Sequence, residues 1–347
     1  MMKTGVVGLG VGRAFFDVVR GRHDVKVSAV CDIDARKLRR VSEQEGIAGA
    51  YAAFDDMLST DIDAVVIATP IQLHGSQAIA AMRAGKHVLC QYIAASDQRE
   101  AEALLRAAEA TGATYMFIET DCYERKNVVM MELAKRGVFG ELTMGRGHYI
   151  HDCKSMGRNP DGSLTWRGEL WMESPGGRCN AVHTAMPLLE VFGERVTEVY
   201  SYGPGARTMP QYTKHDRVTT IGKLPSGRIV ELVDDVFSWH PPVCGYCLQG
   251  TKGCFEFDRA AVVEEGKLSP WKDLDALETQ YGLGQRASDS DGHGAAWGAC
   301  LSAFLDAVER GIRPPQDLFD ALHVTAIGWA ANESLRSGLP AKVVQYD

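Results

Sequence analysis

The chain has 347 residues, 45% hydrophobic and 24% charged, with a formal net charge of -8. That length holds two domains with substantial cores. The acidic balance excludes a nucleic-acid or anionic-membrane partner, because either needs a clustered basic surface.

The opening "MMKTGVVGLG" has no charged region followed by a long apolar stretch, and no apolar run approaches the length of a bilayer span. The expectation is a cytoplasmic protein acting on small molecules. Nine cysteines follow no repeating spacing and read as free thiols. The "CGYC" at Cys244 to Cys247 follows "HPPV" and leads into strand-like "LQGTKGCFEF", so it lacks the helix of a redox pair and the second pair of a zinc site. It reads as two thiols in a strand.

From residue 3 to about 119, short Val- and Ile-rich runs ("TGVVGLG", "VKVSAVCD", "DAVVIATP", "HVLCQY", "TYMFIE") alternate with amphipathic stretches at 12 to 21, 34 to 45, 74 to 84 and 97 to 111. Continuous apolar strands separated by helices predict a parallel sheet covered on both faces, the doubly wound arrangement. The pattern changes near 120. After the helix-like "YERKNVVMMELAKRG" come longer strand-like segments, with "PSG" at 225 to 227 as a hairpin turn between two of them. They predict an antiparallel sheet and so a second domain. The division expected is 1 to 120 for an α/β cofactor domain and 121 to 347 for an α+β substrate and oligomerisation domain. Residues 259 to 292 read as a surface loop, and two helices, 293 to 310 and 316 to 337, close the chain around Pro314 and Pro315. The open face of the second sheet is expected to carry Val230, Leu232 and Val236, and therefore to need a partner copy.

"GVVGLGVGRAFFDVV" is a strand, a Gly-rich turn and a helix. Gly8 permits the tight turn and Gly10 a close approach of backbone to a pyrophosphate, while the helix start supplies oriented N–H groups. The spacing departs from G-x-G-x-x-G: Arg13 stands at the third position and Gly12 lies one residue early. Asp32, closing the second strand in "VCDID", sits where a carboxylate accepts ribose hydroxyls and repels a 2'-phosphate, which favours NAD over NADP.

With "VVGLGVGR", "CDIDARKL", "DIDAVVIATP" followed by "LH", and "AGKHVLC" in that order, the first domain resembles the Rossmann domain of the Gfo/Idh/MocA sugar oxidoreductases, and "WRGELWMESPGGRCNAVH" extends the resemblance into the second. It implies cofactor contacts from Gly8, Gly10, Gly12, Arg13 and Asp32, from Thr69, Pro70 and His74, and from Gln91, Trp166 and Arg167. The ordinary dehydrogenases of that superfamily end the fifth strand with Glu-Lys-Pro, whose Lys moves the hydroxyl proton. Gln91, Tyr92 and Ile93 stand there in this chain, and Cys179 replaces the Asp four residues before His183.

The block "IETDCYERKNVVMMELAKRGVFGELTMGRGHYIHD" is similar to the NAD-dependent glycosidases of glycoside hydrolase family 109, which also lack that Lys. This resemblance implies a redox-neutral hydrolysis: oxidation at carbon 3, elimination across carbons 2 and 1, addition of water and return of the hydride. The catalytic set it carries over is Glu119, Tyr149, His151 and His183; apart from the resemblance, Tyr92 reads as either a hydroxyl donor over the nicotinamide or only an aromatic wall. Tyr149 and His151, two apart in a strand, share a face. Lys154 and Asn180 are expected at the substrate, Asn180 standing where the family has a Tyr. Lys154, Arg158, Arg167 and Arg178 could read an acidic sugar, but Asp161, Glu169 and Glu173 lie among them, so a solvated loop is the plainer account. Metal ligation by His148, His151, Asp152 and Cys153 is disfavoured, because neighbours on a strand point to opposite faces. Two other readings stay open: a sugar dehydrogenase in which Tyr92 or His183 replaces the Lys, and a non-catalytic cofactor sensor. The resemblance also implies a homo-dimer or homo-tetramer.

Overall fold

The continuous apolar runs of the first 119 residues become strands whose buried residues follow one another without alternation, as a sheet covered on both faces requires. The computed structural model describes residues 1–173, 181–283 and 293–346. Its first sheet holds β1 (Met2–Val7), β2 (Val25–Cys31), β3 (Gly49–Tyr51), β4 (Ala64–Ile67), β5 (His87–Cys90) and β6 (Tyr115–Phe117), all parallel, in the order β3-β2-β1-β4-β5-β6. Between the strands run α1 (Ala14–Val19), α2 (Ala35–Glu45), α3 (Phe54–Leu58), α4 (His74–Arg83) and α5 (Gln98–Thr111). The sequence stops and starts these helices locally. Asp34 and Asp97 cap α2 and α5 by accepting main-chain N–H groups, and both helices end on a left-handed glycine, Gly46 and Gly112.

The second unit opens with α6 (Arg125–Lys135), β7 (Leu142–Ile150), α7 (Trp166–Glu173) and α8 (Ala181–Phe192). It continues through β8 (Glu198–Tyr202), β9 (Arg217–Lys223), β10 (Ile229–Asp235), β11 (Val243–Gly250), β12 (Gly253–Glu256) and β13 (Arg259–Glu264). The short strands β14 (Lys267–Leu268) and β15 (Lys272–Asp273) and the helix α9 (Leu274–Tyr281) follow. Later come α10 (His293–Arg310), α11 (Leu318–Ser337) and β16 (Ala341–Lys342). The sheet order is β14-β13-β12-β11-β7-β10-β9-β8-β16, antiparallel apart from the parallel pair β7 and β10. β7 is therefore central, and Gly227, at φ +87°, turns the hairpin between β9 and β10.

Three expectations need correction. The second domain is not one continuous piece after residue 120: the first unit runs from Met1 to Tyr123 and also takes in the stretch to Leu322 that contains α10. Trp297, Cys300, Leu301 and Phe304 of α10 complete the apolar cluster of Phe15, Phe16 and Val30, so an amphipathic helix distant in sequence closes the first core. The expected loop over 259 to 292 holds β13, β14, β15 and α9, the last capped by Asp273. Val230, Leu232 and Val236 do not lie on an open face. They are buried, because their register beside Gly145 and Gly147 of β7 puts Val230 and Leu232 on the side that α8 covers.

Candidate active site

In the first unit the expected cofactor residues collect at the carboxyl ends of the strands, where β1 and β4 adjoin and the chain reverses its order of strand addition. Gly8 has φ +86°, and a Cβ there would fall 2.5 Å from the carbonyl oxygen of Ala68, so no other residue fits the turn. At Gly10 a Cβ would meet nothing within 4 Å, which leaves the main chain open to a ligand. A Cβ on Gly12 would fall 3.0 Å from the Val6 side chain and 3.3 Å from that of Ala68. The close helix-to-strand packing of a third fingerprint glycine is thus made one residue early, and Arg13 is exposed in the short 3-10 turn Val11–Arg13. The Asp32 carboxylate is nearly buried and accepts from the N–H of Leu9 at 2.8 Å, from the N–H of Asp34 at 2.9 Å and from Lys37 at 3.4 Å. It holds the turn as well as facing it. An open glycine main chain beside an anchored carboxylate fits a dinucleotide.

The other residues of this rim divide. Thr69 donates to Gln77 at 2.6 Å, and Thr69, Pro70 and Gln91 are half-buried. His74 is not available to a cofactor. It is fully buried, with Nε2 2.8 Å from the carbonyl of Thr69 and Nδ1 3.0 Å from that of Ile93, so it ties the end of β4 to the chain after β5. Tyr92 is half-buried and its peptide bond to Ile93 is cis. Glu119 is fully buried, and its Oε1 accepts the N–H of Asp121 at 3.0 Å, which caps the turn Thr120–Tyr123.

In the second unit the site is built on one face of β7. A Cβ on Gly147 would lie 1.8 Å from the carbonyl oxygen of Thr184, and one on Gly145 would lie 2.7 Å from the ring of Phe192. The two glycines let α8 rest directly on the strand. The next residue on that face is Tyr149, at the point where α8 begins, and its ring stacks on that of His183 with centroids 4.7 Å apart and planes at 24°. His151 follows on the same face, 5.8 Å from Tyr149 between ring centroids, with Nδ1 3.0 Å from Sγ of Cys153. The buried Tyr246 hydroxyl donates to the carbonyl of His183 at 2.6 Å and so fixes the first turn of α8. His148 belongs to the other face, against Phe257, and burial first and Arg146 second lower its basicity.

Sequence reasoning missed Lys214 and Asp234. Asp234 pairs in register with Tyr149 and shares its face, and its Oδ2 lies 3.3 Å from Nζ of Lys214, with the two side chains 1% and 3% exposed. A buried ion pair persists only when each charge holds the other. The signal was present as two adjacent acids closing an apolar strand in "VELVDDVF".

Lys154 pairs with Asp152 at 2.8 Å, donates to the carbonyl of Phe237 at 3.2 Å and lies 3.8 Å over the ring of Trp239. Trp166 and Arg167 open α7 and, with Arg158, Asn159, Ser155 and Thr165, line an open cleft of about 470 Å³. Asn180 lies outside the described residues. Cys244 and Cys247 are both in β11, and burial pushes the Cys247 thiol up to about 11, so its sulfur keeps its proton at neutral pH.

Residues 2–119 match an oxidoreductase family with an NAD-binding Rossmann fold, and residues 200–344 match the C-terminal domain of glycosyl hydrolase 109. A glycosyl hydrolase family 109 protein of Stenotrophomonas maltophilia is 28% identical over 96% of this chain and 85% of its own. An alpha-N-acetylgalactosaminidase of Tannerella forsythia is 26% identical over 97% and 84%. Among solved structures, an oxidoreductase domain protein from Kribbella flavida superposes with a TM-score of 0.83 at 20% identity, covering 99% of this chain and 100% of that one. Scyllo-inositol dehydrogenase from Lactobacillus casei, solved with NAD(H) and scyllo-inositol, gives 0.77 at 18%, covering 99% of both. At those identities the two structures establish the fold.

Proposed function

Because the chain belongs to the Gfo/Idh/MocA oxidoreductase superfamily and carries its NAD-binding domain, we propose that it is an NAD-dependent glycosidase that cleaves a small glycoside with no net oxidation. One observation carries the reading. Tyr149, His151 and His183, three rings able to move protons, are gathered on β7 and α8, while β5 leads into Gln91, Tyr92 and Ile93 with no lysine.

Bound NAD supplies reversible hydride transfer at carbon 3 of the sugar, which acidifies the proton on carbon 2. Gly8, Gly10 and Gly12 shape the turn that holds it, and Asp32 selects the ribose hydroxyls. Tyr149, entering the step as the phenolate, takes the proton from carbon 2 on its oxygen, becomes the neutral phenol and later returns that proton. His183 and His151 serve the oxygen on carbon 3, one receiving the hydroxyl proton and the other donating a hydrogen bond. Asp234 with Lys214 fixes a charge pair beside Tyr149. Tyr92 offers a hydroxyl at the end of β5.

The test is cleavage of a chromogenic glycoside, with an N-acetylgalactosaminide tried first because of the named activity of the Tannerella relative. Acidic sugars come second, because Arg158 and Arg167 line the cleft. Turnover should need only catalytic NAD, accumulate no NADH and, in heavy water, leave deuterium at carbon 2 of the released sugar. NADH formed in proportion to substrate with no aglycone would make the protein a dehydrogenase. Tight NAD with no turnover of either kind would make it a sensor.

The face of the larger sheet turned away from α8 carries Ile221 and Ile229, both partly exposed, beside Arg146 and Glu231. We propose a homo-dimer or homo-tetramer on that face. Light scattering that returns a monomer mass at micromolar concentration excludes it.

A further inference from the structure

The ladder of β7 continues past its last residue. The N–H of His151 donates to the carbonyl of Asp235 at 2.8 Å and that of Cys153 to the carbonyl of Val236 at 2.9 Å, so the chain stays tied to the end of β10 as it turns out of the strand at Cys153. Tyr149 meets His151 ring to ring, and the imidazole of His151 reaches the sulfur of Cys153. Cys153 is buried against Trp171, Tyr212, Val236 and Phe237, and its Sγ lies 3.0 Å from Nδ1 of His151. Neither residue has another side-chain hydrogen bond among the described residues.

The direction of that hydrogen bond decides what His151 can do. Burial first, then the charge of Asp234, pushes the Cys153 thiol up to about 11, against smaller opposing effects of Arg167 and Lys214. At neutral pH the sulfur carries its proton. A neutral thiol is a weak donor and a weaker acceptor, whereas the lone pair of a neutral imidazole is a good acceptor. The favourable arrangement is S–H to Nδ1, and an imidazole that accepts at Nδ1 bears its own hydrogen on Nε2.

We propose that Cys153 is a positioning residue that holds His151 in the Nε2–H tautomer, so that His151 enters the reaction as a neutral hydrogen-bond donor rather than as a base. The catalytic half of this inference rests on the glycosidase reading; the tautomer itself does not. A neutral imidazole donating at Nε2 polarises a sugar oxygen through its hydrogen bond. Proton acceptance then falls to Tyr149 and to His183.

Long-range proton–nitrogen correlation on the full chain labelled at its histidine rings, with His151 assigned from a His151→Asn variant, reads the tautomer without substrate. The wild type and Cys153→Ser should both hold hydrogen on Nε2, since a serine hydroxyl donates in the same way. Cys153→Ala, or Cys153→Val should the smaller residue unfold the chain, should lower the ratio of the two tautomers about fivefold, the factor that one ordinary hydrogen bond sustains. Hydrogen on Nδ1 in the wild type, or an unchanged ratio in the alanine and valine variants, overturns the proposal. With a cleavable glycoside in hand, turnover kept by serine and lost several-fold by valine supports the catalytic half, and equal turnover in both overturns it. A wild type that cleaves nothing counts against the glycosidase reading and leaves the tautomer result standing.

Discussion

The glycines after β1 and the glycines within β7 both bring a main chain close to something, and they differ in what comes. Gly10 faces open space, whereas Gly147 faces the carbonyl of Thr184 so closely that even a methyl group would overlap it. In the first unit the missing side chain makes room for a ligand. In the second the protein's own helix fills the room, and the consequence for chemistry is indirect: α8 is drawn onto the strand until His183 reaches Tyr149. A glycine that lets main chain approach closely therefore has two readings, and only the element opposite it tells which applies.

Substitution separates them most sharply at the level of stability. Gly147→Ala should cost about 3 kcal/mol or more, because the overlap is with main chain on both sides and neither α8 nor the central strand can shift alone. Gly10→Ala should leave the denaturation midpoint unchanged and weaken NAD binding instead. Chemical denaturation and calorimetry on the two variants give the contrast. Equal loss of stability in both would erase it.

The next effect in size is catalytic. Tyr149→Phe keeps the stack on His183 and removes the hydroxyl, so turnover should fall about a hundredfold while NAD affinity stays. Asp32→Asn keeps an acceptor for the N–H of Leu9 and removes the charge, so the turn survives and the preference for NAD over NADP should drop about tenfold. Calorimetry with both nucleotides measures this, and an unchanged ratio would move the source of selectivity elsewhere on the rim.

How far the sequence could be read follows the same division. In the first unit the parallel strands are apolar throughout and their ends carry turn residues, so strand, glycine and Asp32 were legible together. Gly12 was read as a misplaced third glycine, and the packing against Val6 of β1 and Ala68 at the end of β4 that restores its role lies beyond local pattern. In the second unit alternation alone does not say which face is covered, hence the wrong placing of Val230 and Leu232. The pair of glycines at 145 and 147 was the available sign. The strands β14 and β15 have two residues each, too few to show a period, and vanished into a polar stretch. The Tyr149 and His151 alternation was legible; His183 came from resemblance, and Cys153, Lys214 and Asp234 needed the register of β7 beside β10.

Among the described residues each unit also buries one histidine, and the two are wired oppositely. Both ring nitrogens of His74 face carbonyl oxygens, while Nε2 of His323 accepts the N–H of Val196 at 3.0 Å and its Nδ1 has no hydrogen-bond partner among the described residues. Burial lowers the basicity of His74 against the pull of its carbonyls; for His323 burial, helped by the charge of Arg195, takes the group down to about 3. A histidine depressed by folding binds its proton in the unfolded chain first. Its contribution is whole above the unfolded value near 6.5 and is lost as pH falls toward the folded value. Between pH 6 and 5 His323 alone should remove about 1 kcal/mol. His323→Gln keeps an acceptor for Val196 and cannot titrate, so its stability should change less with pH across that interval by the same amount, while the part that His74 contributes in the first unit persists. Denaturation midpoints taken at the two pH values on both proteins give the difference directly. Parallel pH profiles would mean that His323 is already charged in the fold and that its bond to Val196 is not the one described.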